Sequence, residues 1–186
     1  EGKYMVDLKE FEQKAADLRV LGMKISIGQD TVYEKYWDED CRRNIYSASK
    51  SFTSCAVGFA VQEGLIDLDE RLMDAFKEDI PNNPDENLKK ATVKDLLTMT
   101  LGQEKGFLMG KQRPRMEEQN WVKASLAIPF VYEPGTHFVY NNVGPYLAGI
   151  LVQRRAGCDL LSYLTPRLLK PLGIRKTIWE VDPEGN

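Results

Sequence analysis

An α+β fold is what this sequence predicts, and three observations carry the expectation. Residues 22–28 and 31–37 alternate apolar with polar side chains around Gln29-Asp30, the pattern of one β-hairpin. From residue 46 onward, apolar positions recur at helical spacing in one segment after another. No later stretch supplies the strands that should flank the hairpin, although two strands alone are marginal in water.

Taken in order, Leu8, Phe11, Ala15 and Leu18 with charges between them predict an amphipathic helix over 7–20. The hairpin and a polar run over 38–44 follow. Next comes Tyr46-Ser47-Ala48-Ser49-Lys50-Ser51-Phe52-Thr53, leading into an apolar helix pattern over 55–61 that Gly64 stops. Cys55 falls within that pattern and is expected to be a small buried hydrophobe. Asp69 is placed as the N-cap of a helix over 70–76, and Pro81-Asn82-Asn83-Pro84 as a turn. Thr92 caps a helix over 93–99, with Asp95 at the capping-box position, and Gly102 ends it. Residues 103–115, with basic side chains, two glycines and a proline, read as a loop. Loops of that length border some binding sites, but most are solvated connections.

Helices are expected over 120–127, 143–154 and 160–169, with Gly157 after the second and Pro171-Leu172-Gly173-Ile174 closing the third. Between the first two lies Tyr132-Glu133-Pro134-Gly135-Thr136-His137-Phe138-Val139-Tyr140-Asn141-Asn142. It reads as a turn, a short extended piece and a loop entering a helix, so Tyr140 and Asn142 stand where side chains can face a cleft.

Composition removes several functions. The chain has 186 residues, 42% of them hydrophobic, enough for about one domain with a sizeable core. Its net charge is −3 with the signs interspersed, and no basic stripe or finger spacing is present, so nucleic acid is not an expected partner. The apolar runs are too short to span a bilayer. Glu1-Gly2-Lys3-Tyr4-Met5 carries no address label, which leaves both a cytoplasmic chain and an exported one with its leader removed. Cys41, Cys55 and Cys158 are widely spaced and His137 is the only histidine, so neither a metal site nor any cofactor is expected. A Ser-His-Asp triad would have to use His137, which sits in a turn.

Lys50 is the remaining base. With a helix starting at Ser47, Ser47 and Lys50 lie on one face a turn apart. A hydroxyl becomes a competent nucleophile when a neighbouring base takes its proton, and a helix N-terminus favours developing negative charge. Alone, the spacing equally describes a helix cap beside a solvated lysine.

Ser47-Ala48-Ser49-Lys50, followed by Tyr140-Asn141-Asn142 after Glu133-Pro134-Gly135-Thr136, resembles the serine beta-lactamase and penicillin-binding protein superfamily, in its class C beta-lactamase and esterase branch. Leu65-Ile66-Asp67-Leu68-Asp69, Thr92-Val93-Lys94-Asp95-Leu96-Leu97-Thr98 and Lys170-Pro171-Leu172-Gly173-Ile174 extend the resemblance from the hairpin almost to the last residue. Where many relatives have His and Ser, this chain has Met99 and Leu101.

The resemblance implies a beta-lactamase/transpeptidase-like fold, in which the hairpin belongs to an antiparallel sheet packed on a helical region. Residues 1–186 would then be one incomplete domain: an N-terminal helix and hairpin over 1–40 and the helical region over 41–186. It also implies that Ser47 attacks an acyl carbonyl. Lys50 and Tyr140 would share the acid–base work with lowered pKa values, and Asn142 would bind the substrate amide and help orient Lys50. The substrate would be a small-molecule or peptide ester, amide or β-lactam. The backbone N–H of Ser47 would form half of an oxyanion hole. The superfamily's third motif, Lys-Thr-Gly or His-x-Gly, has no match here. A catalytically inactive fragment, or a module that self-associates through the hairpin's unpaired edge, is therefore the competing expectation.

Overall fold

The computed structural model describes residues 7–39 and 41–186; the stretch Glu1-Gly2-Lys3-Tyr4-Met5 lies outside them. Two compact units divide the chain, residues 1–45 and residues 46–186.

In the first unit, helix α1 covers Lys9–Ala15 and ends well short of the expected 7–20. The chain turns off at Arg19, whose φ of 54° is left-handed and cannot continue a helix. Strands β1 (Gly22–Ile27) and β2 (Asp30–Tyr36) pair antiparallel as expected, but the turn is Gly28-Gln29 rather than Gln29-Asp30, because Asp30 pairs with Ile27 and Gly28 takes the positive φ of 63°. Ile25 faces Tyr33 while Ser26 faces Thr31, so Val32 forms a bulge. Glu12 binds α1 to the hairpin, accepting a hydrogen bond from Tyr33 Oη at 2.8 Å and pairing with Lys35. Phe11 meets Trp37 edge-on at 6.0 Å. Among the described residues the sheet has two strands, and Ala15 is the one fully buried apolar residue of this unit.

The second unit is helical around a single core. A 3₁₀ turn at Tyr46–Ala48 leads into α2 (Ser49–Gln62), so the α-helix proper begins two residues after Ser47. Thr53, Ala56, Val57 and Ala60 form its buried stripe at the spacing a helix face requires. Cys55 falls off that stripe and is exposed, contrary to the expectation of burial. Helix α3 is confined to Leu72–Ala75 and is not capped by Asp69. The chain up to Arg71 is instead held extended, because Leu72 N–H donates to Ala91 C=O and Val93 N–H to Glu70 C=O.

A short helix that the sequence does not announce, α4 (Glu86–Lys90), buries only Leu88. One apolar residue in five displays no periodicity. The flanking Asp85 and Asn87 hold both backbone groups of Phe130. Helix α5 (Val93–Leu97) has the expected capping box, with Thr92 N–H and Oγ1 each 2.9 Å from Asp95 Oδ2. It stops before 99, where Met99 has a φ of 58°. Helix α6 spans Trp121–Leu126 under an Asn120 cap.

Helix α7 (Val143–Ala156) is the central element. Its first ten residues are apolar on nearly every side, as a helix buried all round requires. Pro145 is tolerated because first-turn N–H groups have no intrahelical acceptor. Leu147, Ala148 and Leu151 pack with Ala56 and Val57 of α2 and with Leu96 of α5. Gly157 ends α7 as expected. The helix expected over 160–169 divides into α8 (Leu160–Leu164) and a π turn over Thr165–Leu169, where Pro166 cannot continue the α ladder. Tyr146 Oη donates to the buried Asp182 at 2.5 Å and ties the C-terminal segment to α7.

The crossing of α5 and α7 is set by Gly144: a Cβ there would lie 2.3 Å from Leu96 C=O. Gly144→Ala is expected to lower stability by about 2 kcal/mol, since the two backbones must separate. Urea unfolding, reading a shifted midpoint at constant m-value, measures it. A variant as stable as the parent would contradict the close crossing.

Candidate active site

Ser47 stands on the 3₁₀ turn and Lys50 on the first turn of α2, so chain-local geometry brings them together. Lys50 Nζ donates to Ser47 Oγ at 3.0 Å. Tyr46, just before the serine, has a φ of 44°, a left-handed backbone that an aromatic residue adopts only at a cost of about 1–2 kcal/mol.

The third group arrives from 93 residues away. Tyr140 lies in the loop before α7, and its phenol donates to Ser47 Oγ at 2.7 Å. Lys50 Nζ lies 5.2 Å from the centre of the Tyr140 ring. Hydrogen bonding with Ser47, then with Lys50, holds the Tyr140 phenol below the usual tyrosine range, outweighing the opposing effect of desolvation. Ser47 is exposed and Tyr140 is 44% exposed, so the three groups face outward from the unit.

Both donors point at one oxygen. When Tyr140 is ionised, the same 2.7 Å contact runs the other way, from the Ser47 hydroxyl to the phenolate. The geometry thus lets a proton pass either way along this contact without a side-chain rearrangement.

Asn142 sits at the mouth of α7 but is turned toward the preceding loop. Its Nδ2 donates to Leu108 C=O at 3.0 Å and its N–H to Phe107 C=O at 3.3 Å. Among the described residues no hydrogen bond links Asn142 to Lys50, whose orientation Asn142 is expected to help set, and Asn142 Oδ1 is a buried acceptor without a donor. His137 stays in its turn, bonded to Thr136 Oγ1 at 2.8 Å and stacked on Tyr132 at 4.2 Å. Cys41 and Cys158 are free and exposed.

Two residues behind the site were not legible. Gln103, expected to open a solvated loop, is buried (1% exposed), and so is Asn141 (3%). Gln103 Nε2 donates to Ser125 C=O and Asn141 Nδ2 to Gln103 Oε1, each at 2.8 Å. A lone glutamine in a polar loop carries no sign of burial in its sequence. Asn141 lies inside Tyr-Asn-Asn, where nothing in the sequence separates a buried asparagine from an exposed one.

The sequence matches the family described as Beta-lactamase over residues 9–186. Monacolin J acid methylbutanoyltransferase of Aspergillus terreus is 31% identical over 157 residues, covering 74% of this chain and 37% of that protein. Lovastatin esterase of Penicillium rubens is 31% identical over 150 residues, covering 69% of this chain and 37% of that protein. A class C beta-lactamase of known structure superposes with a TM-score of 0.72 at 18% identity, over 94% of this chain and 50% of its own, a likeness of fold. The chain thus spans well under half the length of these two relatives and half of that structure. No helix among the described residues is long and apolar enough to cross a membrane. The fold is that of the beta-lactamases and transpeptidases, and the chain belongs to the Beta-lactamase family, a family of serine-hydrolase type that includes esterases and acyltransferases.

Proposed function

We propose that this chain carries the nucleophilic half of a serine acyl-transfer site, with Ser47 as nucleophile and Lys50 and Tyr140 as its shared base and acid. The observation that carries the reading is the meeting of both groups on Ser47 Oγ, at 3.0 and 2.7 Å. Ser47 Oγ bonds to an acyl carbon while its proton passes to the Tyr140–Lys50 pair. The bond from carbon to the leaving group breaks as that group takes up a proton. Water then attacks the acyl-enzyme, freeing Ser47 and releasing the carboxylic acid. The proton work belongs to the pair, since both groups contact the same Ser47 Oγ.

The substrate is an ester, amide or β-lactam. The acyltransferase and the esterase among the relatives favour an ester. Asn142 is assigned to substrate binding on the resemblance alone, since its Nδ2 is bonded to Leu108 C=O and its unpaired Oδ1 is buried. Ser47 N–H would supply one oxyanion donor.

The two-stranded sheet among the described residues favours a second reading, a domain that pairs its hairpin edge with another chain. Light scattering coupled to gel filtration separates the two, because edge pairing gives a dimer that dissociates when charged residues are placed on the edge.

Intact-mass spectrometry after fluorophosphonate treatment is expected to show one adduct, absent in Ser47→Ala. An unlabelled parent, or labelling that survives in the variant, would remove Ser47 from the role. Parallel incubations with a p-nitrophenyl ester and with a penicillin then choose the acyl class. Ser47→Ala also removes the largest cause that lowers the Tyr140 pKa, so the phenol should titrate at higher pH in that variant. NMR of ring-labelled tyrosine measures this, and an unchanged titration would contradict the coupling.

A further inference from the structure

We propose that Gln103 and Asn141 are positioning residues: a buried amide pair that fixes where the Tyr140 phenol stands against Ser47. The proposal rests on the reading of Tyr140 as proton partner of Ser47. The resemblance assigns neither residue a role.

Each polar atom of the pair has a partner, and the pair can be oriented in one way only. Ser125 C=O can only accept, so Gln103 must present Nε2 to it, at 2.8 Å. Gln103 Oε1 then faces Asn141, which must present Nδ2, also at 2.8 Å. That leaves Asn141 Oδ1 toward two backbone groups that can only donate, Phe107 N–H at 3.1 Å and Val143 N–H at 2.9 Å. Three backbone elements (the end of α6, the loop at 107 and the first turn of α7) thus dictate both amide orientations. Turning either amide over would set like atoms against each other in a site that water does not reach.

The consequence falls on the adjacent residue. Tyr140 C=O is packed against Gly106, where a Cβ would lie 2.7 Å from the carbonyl oxygen. On one side Val139 N–H is bonded to Met99 C=O at 2.9 Å, and on the other Asn142 N–H to Phe107 C=O. The side chain of Asn141 pins this same short segment to the protein interior. The Tyr140 phenol, by contrast, is half exposed and hydrogen-bonded to the reacting serine itself. Its place is therefore set from the main chain, and the amide pair is what anchors that main chain to the core. A phenol held at 2.7 Å transfers a proton directly, and a displacement of about 1 Å costs on the order of a hundredfold in rate.

The test compares the parent with Gln103→Met, which keeps the side chain's length, Asn141→Ala and the double variant. Asn141→Ser is the milder change, retaining an acceptor for Val143 N–H while giving up the link to Gln103. Circular dichroism selects the variants that fold. Two readouts are taken on each: the pH titration of Tyr140 by ring-labelled tyrosine NMR, assigned with Tyr140→Phe, and the fluorophosphonate labelling rate of Ser47 against pH.

Positioning predicts that in folded variants the Tyr140 titration moves up toward the ordinary tyrosine value. It also predicts labelling slowed by about tenfold to a hundredfold, with the midpoint of its pH profile moving the same way. Because the two amides act through one chain of bonds, the double variant should be no slower than the slower single variant. Folded variants with the parent's titration and labelling profile would overturn the proposal, as would a fall in melting temperature with both pH midpoints unmoved. If the parent itself is not labelled, the nucleophile reading fails, while the NMR titration still decides whether the pair places Tyr140.

Discussion

The hydrogen bond from Tyr140 to Ser47 joins two segments that the chain separates by 93 residues, and the helical unit is arranged so that it can form. Its two ends are supported differently. Ser47 and Lys50 need only the start of α2, where three-residue spacing places both side chains over the same turn. Tyr140 needs a loop of no regular structure to be held to a few tenths of an ångström. The fold meets that demand by burying what flanks the loop: Asn141 inside the protein, α7 at its centre, and Gly144 close against Leu96.

Electrostatics at the site is local. Ser47 and Tyr140 are exposed, and charges there are screened by solvent, so the amine and the phenol influence one another through contact more than through a long-range field. Direct hydrogen bonding is accordingly the leading cause of the lowered Tyr140 pKa, ahead of the Coulomb effect of Lys50. In an acylation, closing the site against water would strengthen each of these contacts, because the same pair of charges interacts more strongly as the surrounding dielectric falls. The exposed arrangement therefore shows the chemistry's components in the form least favourable to them.

What could be read from the sequence follows from how local each feature is. The two hairpin strands, the Thr92–Asp95 capping box and the ends at Asn120 and Gly157 each depend on a few adjacent residues, and each is found where expected apart from a one-residue offset of the hairpin turn. Ser47, Lys50 and Tyr140 stand out from two short motifs, and the structure brings Lys50 and Tyr140 to the Ser47 oxygen. Features set by distant partners were not legible. Helix α3 begins late because residues 70–72 bond to residues 91 and 93. Cys55 is exposed because the helix turns a different stripe inward. Gln103 is buried because a carbonyl on α6 and an asparagine 38 residues later both require it. Asn142 faces Leu108 because that loop folds under it.

In the proposed mechanism Lys50 and Tyr140 activate Ser47 as one unit. The rate of Ser47 acylation by a fluorophosphonate in Lys50→Ala, Tyr140→Phe and the double variant, each shown to be folded, tests this. Groups acting as a unit lose nearly everything when either is removed, so the double variant is expected to be about as slow as the slower single one. Losses that multiply across the two sites, or a single variant that labels at the parent's rate, would contradict it.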